Sequence, residues 1–547
     1  MQSRKEKIAN WWKQENRIRT MIQALLLGLL PVVCCLVYCA AQGKSIGEVY
    51  LPGSEWNDEL FYYKQVEGIV HGGYPVGYFG FNESHALKLS FAAWSPVLVF
   101  PWILWGLFFG WNLMSPVICN IVLMSLCCFL FVWLVKPGWK QVGILTLLFC
   151  LYTPFVRYML STMPEIICFT MLILFYGMAI RYLKKENRVI LVLLFLSGSV
   201  MTLMRPYLVL FLLLPMYFWT KKRGWKGAAG SVGILAVTLG VYAMIKHYLR
   251  AEYFAPLFFT DWVEAFFTQG LFGGLKYTFG KLYYMGKSFW GHTLQGFRTG
   301  LASGAFFAGY LVMMLVLLGQ SLADWYRMGR LKGLQGQQEK SPETEDRNRR
   351  LKNQLVIELH LAFSFVAMLF ALLLMYKLTE GSKHLLTFLA AGIFVISMMD
   401  TRYFRKAAVL GVTFAYFYSV MAVDPYDYQV PFVQEERQAQ VENWRERFAE
   451  GILLETEKVP SYENVVIWVF SDEVDGQSKN TLWQMLYALP EGSGISCCMR
   501  DYVLENLDSL QSKYLVTVAG GEIDKACGAR EYTEIGRDED TVCYRLH

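Results

Sequence analysis

Asp58 and Glu59 stand side by side in an acidic, aromatic stretch, Ser54-Glu55-Trp56-Asn57-Asp58-Glu59-Leu60-Phe61-Tyr62-Tyr63, directly after the first long apolar run. A carboxylate in or beside hydrocarbon costs several kcal/mol unless it is paired, hydrated or kept for a task. Here it can take a proton from a hydroxyl nucleophile. The same two side chains can also cap a helix beginning near Leu60, because an acidic residue at a helix start accepts backbone hydrogen bonds. In Phe81-Asn82-Glu83-Ser84-His85, Glu83 and His85 put a carboxylate and an imidazole two residues apart. They are metal ligands if the loop folds back and part of a hydrated loop if it does not. Cysteine adds little: of 12, eight lie in or at the edges of predicted spans, and no Cys or His spacing fits a zinc site. Cys497, Cys498, Cys527 and Cys543 leave a disulfide open, although the adjacent Cys497 and Cys498 do not easily bridge each other.

These residues need elements to hold them, and composition says what kind. Hydrophobic residues make up 55% of the 547, and apolar runs of about 20 residues recur, which matches hydrocarbon thickness rather than a soluble core. The pattern predicts a polytopic α-helical membrane protein with eleven transmembrane helices, at about 21–41, 113–135, 141–158, 166–183, 189–204, 206–219, 228–248, 301–321, 355–375, 385–399 and 407–423. The net charge of +6 argues for topology rather than a nucleic-acid partner, because Lys and Arg collect in short loops between apolar runs. Six basic residues from Arg4 to Arg19 precede the first run, which is too long, and too poor in small residues, for a cleaved signal. It reads as an anchor with a cytoplasmic amino terminus.

The segment Ser95 to Gly110 decides the rest of the topology. It is short, carries Pro96 and Pro101, and is flanked and studded by Trp94, Trp102, Trp105 and Trp111, as an interfacial helix would be. Read so, the clusters Lys136/Lys140, Arg181/Lys184/Lys185/Arg188, Lys221/Lys222/Arg223/Lys226 and Arg402/Arg405/Lys406, with the polar insert 322–354, all fall in the cytoplasm of a plasma-membrane protein. Outside lie loop 42–112, the aromatic loop 249–300, and a region from 424 onward. In that region, strands at Asn464–Phe470, Gly494–Cys498, Lys513–Val518 and Thr541–Leu546 alternate with helical patterns at Thr481–Ala488 and Tyr502–Leu510. The expected division is 1–423 in the membrane and a small extracytoplasmic α/β domain over 424–547.

The order of motifs in the first 220 residues resembles the GT-C superfamily of polyprenyl-phosphate-dependent glycosyltransferases. The nearest patterns are those of the protein O-mannosyltransferases and the lipid A aminoarabinose transferase. The residues carrying the likeness are Asp58, Glu59 and Tyr62 after the first span, Gly72 and Gly73, Ser95-Pro96, and Phe108-Phe109-Gly110. Ser161-Thr162-Met163-Pro164-Glu165 is similar to the place where that family often carries a second acidic residue, and Arg205-Pro206 to its break between paired helices. Lys383 and His384 resemble a basic-aromatic pair of a later loop, with His where Tyr is commoner. One departure is clear: Trp94-Ser95-Pro96 lacks the lysine that could touch a donor phosphate there.

The resemblance implies an inverting transfer of a sugar from a polyprenyl-phosphate carrier to a glycan, lipid or protein acceptor of the cell envelope. An acceptor hydroxyl then needs a carboxylate to take its proton, and Asp58 is the expected base, with Glu59 and Glu165 as further catalytic candidates. The leaving phosphate needs cations or a divalent metal, and Arg205, Arg157 and Lys383, with His384 and Tyr62 beside them, are the candidates to bind it. Arg205 has a second reading as a snorkelling side chain, and Glu165 as a helix-start charge after Pro164. No Gly-rich phosphate loop follows a strand, so a nucleotide-sugar donor is not expected. Two other classes remain open. A transporter or flippase for a lipid-linked saccharide would need ionisable residues deep in the bilayer, where Glu358 and His360 are the main examples. A noncatalytic membrane anchor for the outer domain would use eleven spans for little.

Overall fold

A computed structural model of the chain describes residues 2–72, 79–83, 95–152, 154–249, 258–299, 301–334, 342–376, 378–399, 409, 430–452, 464–530 and 532–546. Helix α1 (Gln2–Ala41) is followed by two short 3-10 turns and by α2 (Asn57–Gly72). A 3-10 turn at Pro96–Val99, capped by the Ser95 hydroxyl, runs into α3 (Phe100–Phe109). Helices α4 (Ser115–Val135), α5 (Trp139–Leu151), α6 (Pro154–Met159), α7 (Glu165–Lys184) and α8 (Arg188–Met204) then run back and forth. After a 3-10 stretch at Pro206–Leu212 come α9 (Leu213–Arg223), α10 (Trp225–Leu249), α11 (Asp261–Thr268), α12 (Gly270–Thr299), α13 (Leu301–Leu334), α14 (Pro342–Met375) and α15 (Leu378–Met398).

Six of the described helices are long and apolar enough to cross a membrane, within α1, α4, α7, α10, α13 and α14. Among the described residues, several of the eleven expected spans are broken or short. The run 141–158 breaks at Tyr152 before Pro154, because proline lacks the N–H that would continue the ladder. The run 206–219 is divided between a 3-10 stretch and α9. Helices α5, α8 and the Lys383–Met398 part of α15 are apolar but short, and 407–423 lies outside the described residues apart from Val409. The aromatic segment expected as a loop over 249–300 contains α11 and α12, with Phe267, Phe272, Phe279 and Tyr283 exposed. Helix α3 presents Phe100, Leu104, Leu107, Phe108 and Phe109 outward while Trp102 is wholly buried, the one-sided pattern of an interfacial helix.

One buried amide fixes the end of the bundle where the charged residues gather. Asn120 of α4 accepts the Trp102 indole N–H at 2.7 Å and donates to the carbonyls of Tyr158, Met159 and Ser161 at 3.3, 3.3 and 2.8 Å. Those carbonyls are left open where α6 stops, and an unpaired buried carbonyl is costly. Asn120 thus binds α3, α4 and the turn that launches α7 at Glu165. At the opposite end, Lys184 donates to the Val135 carbonyl (2.6 Å), Asn353 to that of Leu183 (2.7 Å), and Lys222 pairs with Glu186.

The carboxy-terminal region forms a six-stranded sheet of order β1-β5-β2-β6-β8-β7 and a separate hairpin. Its strands are β1 (Phe79–Phe81), β2 (Val465–Val469), the hairpin β3 (Ser471–Val474) and β4 (Gln477–Asn480), β5 (Gly494–Cys498), β6 (Tyr514–Val518), β7 (Thr533–Arg537) and β8 (Thr541–Arg545). Strands β1, β5, β2 and β6 are parallel, while β8 and β7 are antiparallel additions. Every residue of β2, β5 and β6 is buried, as in a sheet covered on both faces. Ile467 and Val469 pack with Val503, Ile523 and Cys527 of the helices Arg500–Asn506 and Glu522–Gly528, while Trp468 turns to the other face, 6.3 Å from Trp444 of helix Glu435–Arg447. The expected strands are therefore present, and the edge strand β1 comes from the first loop, 384 residues earlier than β2 at its nearest. All 12 cysteines are free, including Cys497, Cys498, Cys527 and Cys543.

Candidate active site

Helix α2 begins at Asn57, so Asp58 and Glu59 both fall in its first turn, where the helix dipole favours negative charge. They point in different directions, being 100° apart on the helix. Asp58 forms an ion pair with Lys383, and both side chains remain partly exposed, at 32% and 22%. Glu59 is fully buried and accepts from Arg157 at 2.8 Å; Arg157 also donates to the Ser54 hydroxyl at 3.0 Å and stacks over the Trp56 ring at 3.7 Å. Burial pushes the Glu59 carboxyl above its usual range against the pull of Arg157.

A second buried pair lies at the starts and ends of other helices. Glu165 opens α7 after Pro164, and Arg205 follows α8 where Pro206 prevents its continuation. Their side chains meet at 2.5 Å with no exposure at all. Arg205 also donates to the Tyr207 hydroxyl (3.2 Å) and contacts His384 Nδ1 (2.9 Å), which lies 3.0 Å from that same hydroxyl. A buried arginine held by a carboxylate, a phenol and an imidazole is not a side chain snorkelling to the surface. One oxygen of Glu165, Oε2, has no hydrogen-bond partner among the described residues.

Tyr62, one turn after Asp58 on the same face of α2, joins the two pairs. Burial first, then the Asp58 carboxylate, pushes its phenol well above the usual range, and Arg205 and Glu165 are also within electrostatic reach. Lys383 senses Glu165 as well as Asp58. The structure thus brings Asp58, Tyr62, Glu165, Arg205, Lys383 and His384 to one place, graded from a half-open pair to a closed one. Glu59 and Arg157 make a neighbouring pair that neutralises itself.

Glu83 goes elsewhere. Its carboxylate accepts from the Ser512 N–H (2.7 Å), the Ser512 hydroxyl (2.5 Å) and the Gln511 N–H (3.1 Å), and its own N–H donates to Ser496 Oγ at 2.8 Å. Glu83, read as either a metal ligand or part of a hydrated loop, instead fastens β1 to the carboxy-terminal sheet, and His85 lies outside the described residues. No three His, Cys, Asp or Glu side chains come together as metal ligands among the described residues. Glu358 accepts from Gln354 at 2.8 Å, beside Asp324, and His360 contacts the Tyr176 hydroxyl at 3.1 Å and the Leu210 carbonyl at 3.2 Å.

Tyr207, Tyr376 and Trp56 were not singled out in the sequence. Tyr207 stands two residues after Arg205 and could have been inferred from that spacing; Tyr376, with its ring 5.3 Å from His384, carries no comparable signal.

No family model matches the chain, and no curated protein matches it. Among solved structures, the chain is similar to the oligosaccharyltransferase of Archaeoglobus fulgidus. With the crystal structure tethered to an acceptor peptide containing the NVT sequon, the identity is 13% over 98% of this chain and 75% of that one, at a TM-score of 0.45. With the apo form the identity is 12%, over 96% and 74%, at a TM-score of 0.47. With both TM-scores below 0.5, the function rests on the chain's own residues.

Proposed function

We propose that the protein is an integral-membrane glycosyltransferase that moves a sugar, with inversion, from a polyprenyl-phosphate carrier to an acceptor hydroxyl. The observation that carries this is the meeting of Asp58, Glu165, Arg205, Lys383 and His384, drawn from near the ends of four helices, with Lys383 and His384 both on α15, in one cluster at one end of an apolar bundle. Basic residues such as Lys184 and Lys222 gather at the other end, which supports a site facing away from the cytoplasm and an outward carboxy-terminal domain.

In this reading Asp58 is the general base. Lys383 and the start of α2 hold its side chain in place in the free enzyme. A donor phosphate arriving beside Lys383 competes for the ammonium and frees the carboxylate to take the acceptor proton as the new glycosidic bond forms. Arg205, already fixed by Glu165, Tyr207 and His384, stands as a preorganised cation for the charge that grows on the leaving phosphate. Glu165 acts through Arg205 as a positioning residue. Phosphate charge is met in this reading by these two cations.

The test is transfer by the purified protein in lipid nanodiscs, offered polyprenyl-phosphate-linked sugars and nucleotide sugars in parallel. Consumption of a lipid-linked donor is the expected result. Consumption of nucleotide sugars alone, or of no donor in a panel of lipid-linked sugars, overturns the proposal.

A further inference from the structure

The face of α2 next to the one that carries Asp58 opens on a cavity. At four-residue steps, Glu59, Tyr63 and Glu67 share one stripe of the helix, while Asp58 and Tyr62 share the adjacent one. Tyr63 and Glu67 line an open cleft of about 430 Å³ between α2, the residues after α3 and the carboxy-terminal domain, within the usual size of small-molecule sites.

One wall is aromatic. Tyr63 lies 5.5 Å from Trp111 and 5.4 Å from Tyr487, ring centroid to centroid. The Trp111 indole donates to the Tyr63 carbonyl at 3.2 Å, and Tyr63 and Tyr487 are buried, so these rings are set before any ligand arrives. Four charged side chains, Glu67, Arg445, Glu450 and Glu491, stand in the rest of the lining among neutral residues such as Asn112 and Leu113. Lys64 takes the Glu67 carboxylate at 2.7 Å and also holds the Leu489 carbonyl at 3.0 Å, closing the base of the cleft. Glu491 also faces the His71 imidazole at 4.0 Å, and Glu450 and Glu491 together outnumber Arg445.

Fixed rings beside hydrogen-bonding charges suit a molecule with apolar C–H faces and many hydroxyls. Rings pack against the C–H face of a pyranose, and carboxylates accept its O–H groups. The acidic balance repels uronic acids and phosphorylated sugars. We propose that this cleft is the acceptor subsite and that the acceptor is a non-acidic saccharide, neutral or amino-bearing. The inference rests on the transfer reaction proposed above and names its acceptor class. The shared helix supports it, because α2 carries the proposed base on one stripe and the cleft wall on the next.

The experiment uses the full-length protein in nanodiscs, with an array of neutral, amino and uronic-acid oligosaccharides and hydroxyl-rich peptides, followed by titration of the best binder. Binding confined to non-acidic saccharides is expected. It should weaken about tenfold or more in Arg445→Ala and Glu491→Ala, whose exposed side chains can be removed without opening the core, and in Tyr63→Phe it should persist. Binding of peptides alone, of acidic saccharides alone or of nothing overturns the acceptor assignment, as does binding indifferent to both rim substitutions. Donor consumption separates the two readings: slow release of free sugar to water needs no acceptor, so its persistence leaves the transfer reaction standing when the acceptor assignment fails.

Discussion

Asp58 in the first turn of α2 and Lys383 at the start of α15 form an ion pair across 325 positions of the chain. Each is part of the same cluster as the buried Glu165–Arg205 pair.

Lys383→Met should raise the donor KM about tenfold or more, the loss of one charge-assisted hydrogen bond to phosphate. Initial rates against donor concentration measure it. An unchanged donor KM would remove Lys383 from the phosphate site.

The Glu165–Arg205 pair separates stability from function. Glu165→Ala strands a buried arginine charge and should cost about 3–5 kcal/mol, whereas the double change Glu165→Gln with Arg205→Met should recover most of that loss. Transfer should stay absent in the double variant. Thermal unfolding and activity read the two effects, and transfer restored along with stability would mean that Arg205 is structural alone.

Glu83→Gln should destabilise the docking of β1 by about 1–3 kcal/mol, because the Ser512 and Gln511 N–H groups lose a charged acceptor. Divalent cations should not change that difference. Hydrogen exchange at Ser512, with and without magnesium or manganese, is the measurement; a cation-dependent difference would return Glu83 to the role of a ligand.

Asp524 gives the carboxy-terminal domain a pH dependence. Burial opposes its charge, but hydrogen bonds from Arg537, Tyr544 and the Gly520 N–H outweigh burial and hold the carboxyl below its ordinary value. A depressed folded-state value contributes stability that is complete above about pH 4, where the unfolded chain is ionised, and is lost as pH falls through the folded value. The deficit of Asp524→Asn in thermal unfolding should therefore shrink between pH 6 and pH 3. A deficit equally large at pH 3 would show that charge is not its source.

What could be read from the chain follows from which signals are local. β5 falls on its expected residues and β2, β6 and β8 within one at either end, because continuous apolar runs mark strands buried on both faces. The polar hairpin β3–β4 and the edge strand β7 lack that signal, and β1 is three residues of a glycine-rich loop recruited by a distant sheet. Asp58 stood out as a charge directly after an apolar run, whereas Glu165, Arg205 and Lys383 were singled out through the resemblance. Their pairing was not legible, since nothing local says that Lys383 meets Asp58 or that Glu59 turns away to Arg157. Glu83 misled for the same reason: its partners lie more than 400 residues away.

The base assignment is tested most directly by Asp58→Asn in purified protein, with single-turnover transfer from a polyprenyl-phosphate donor measured beside donor binding and thermal unfolding. Transfer should fall by a factor of about 10² or more while donor binding and melting hold. Transfer at the unaltered rate, with donor bound and the fold intact, would contradict the role given to Asp58.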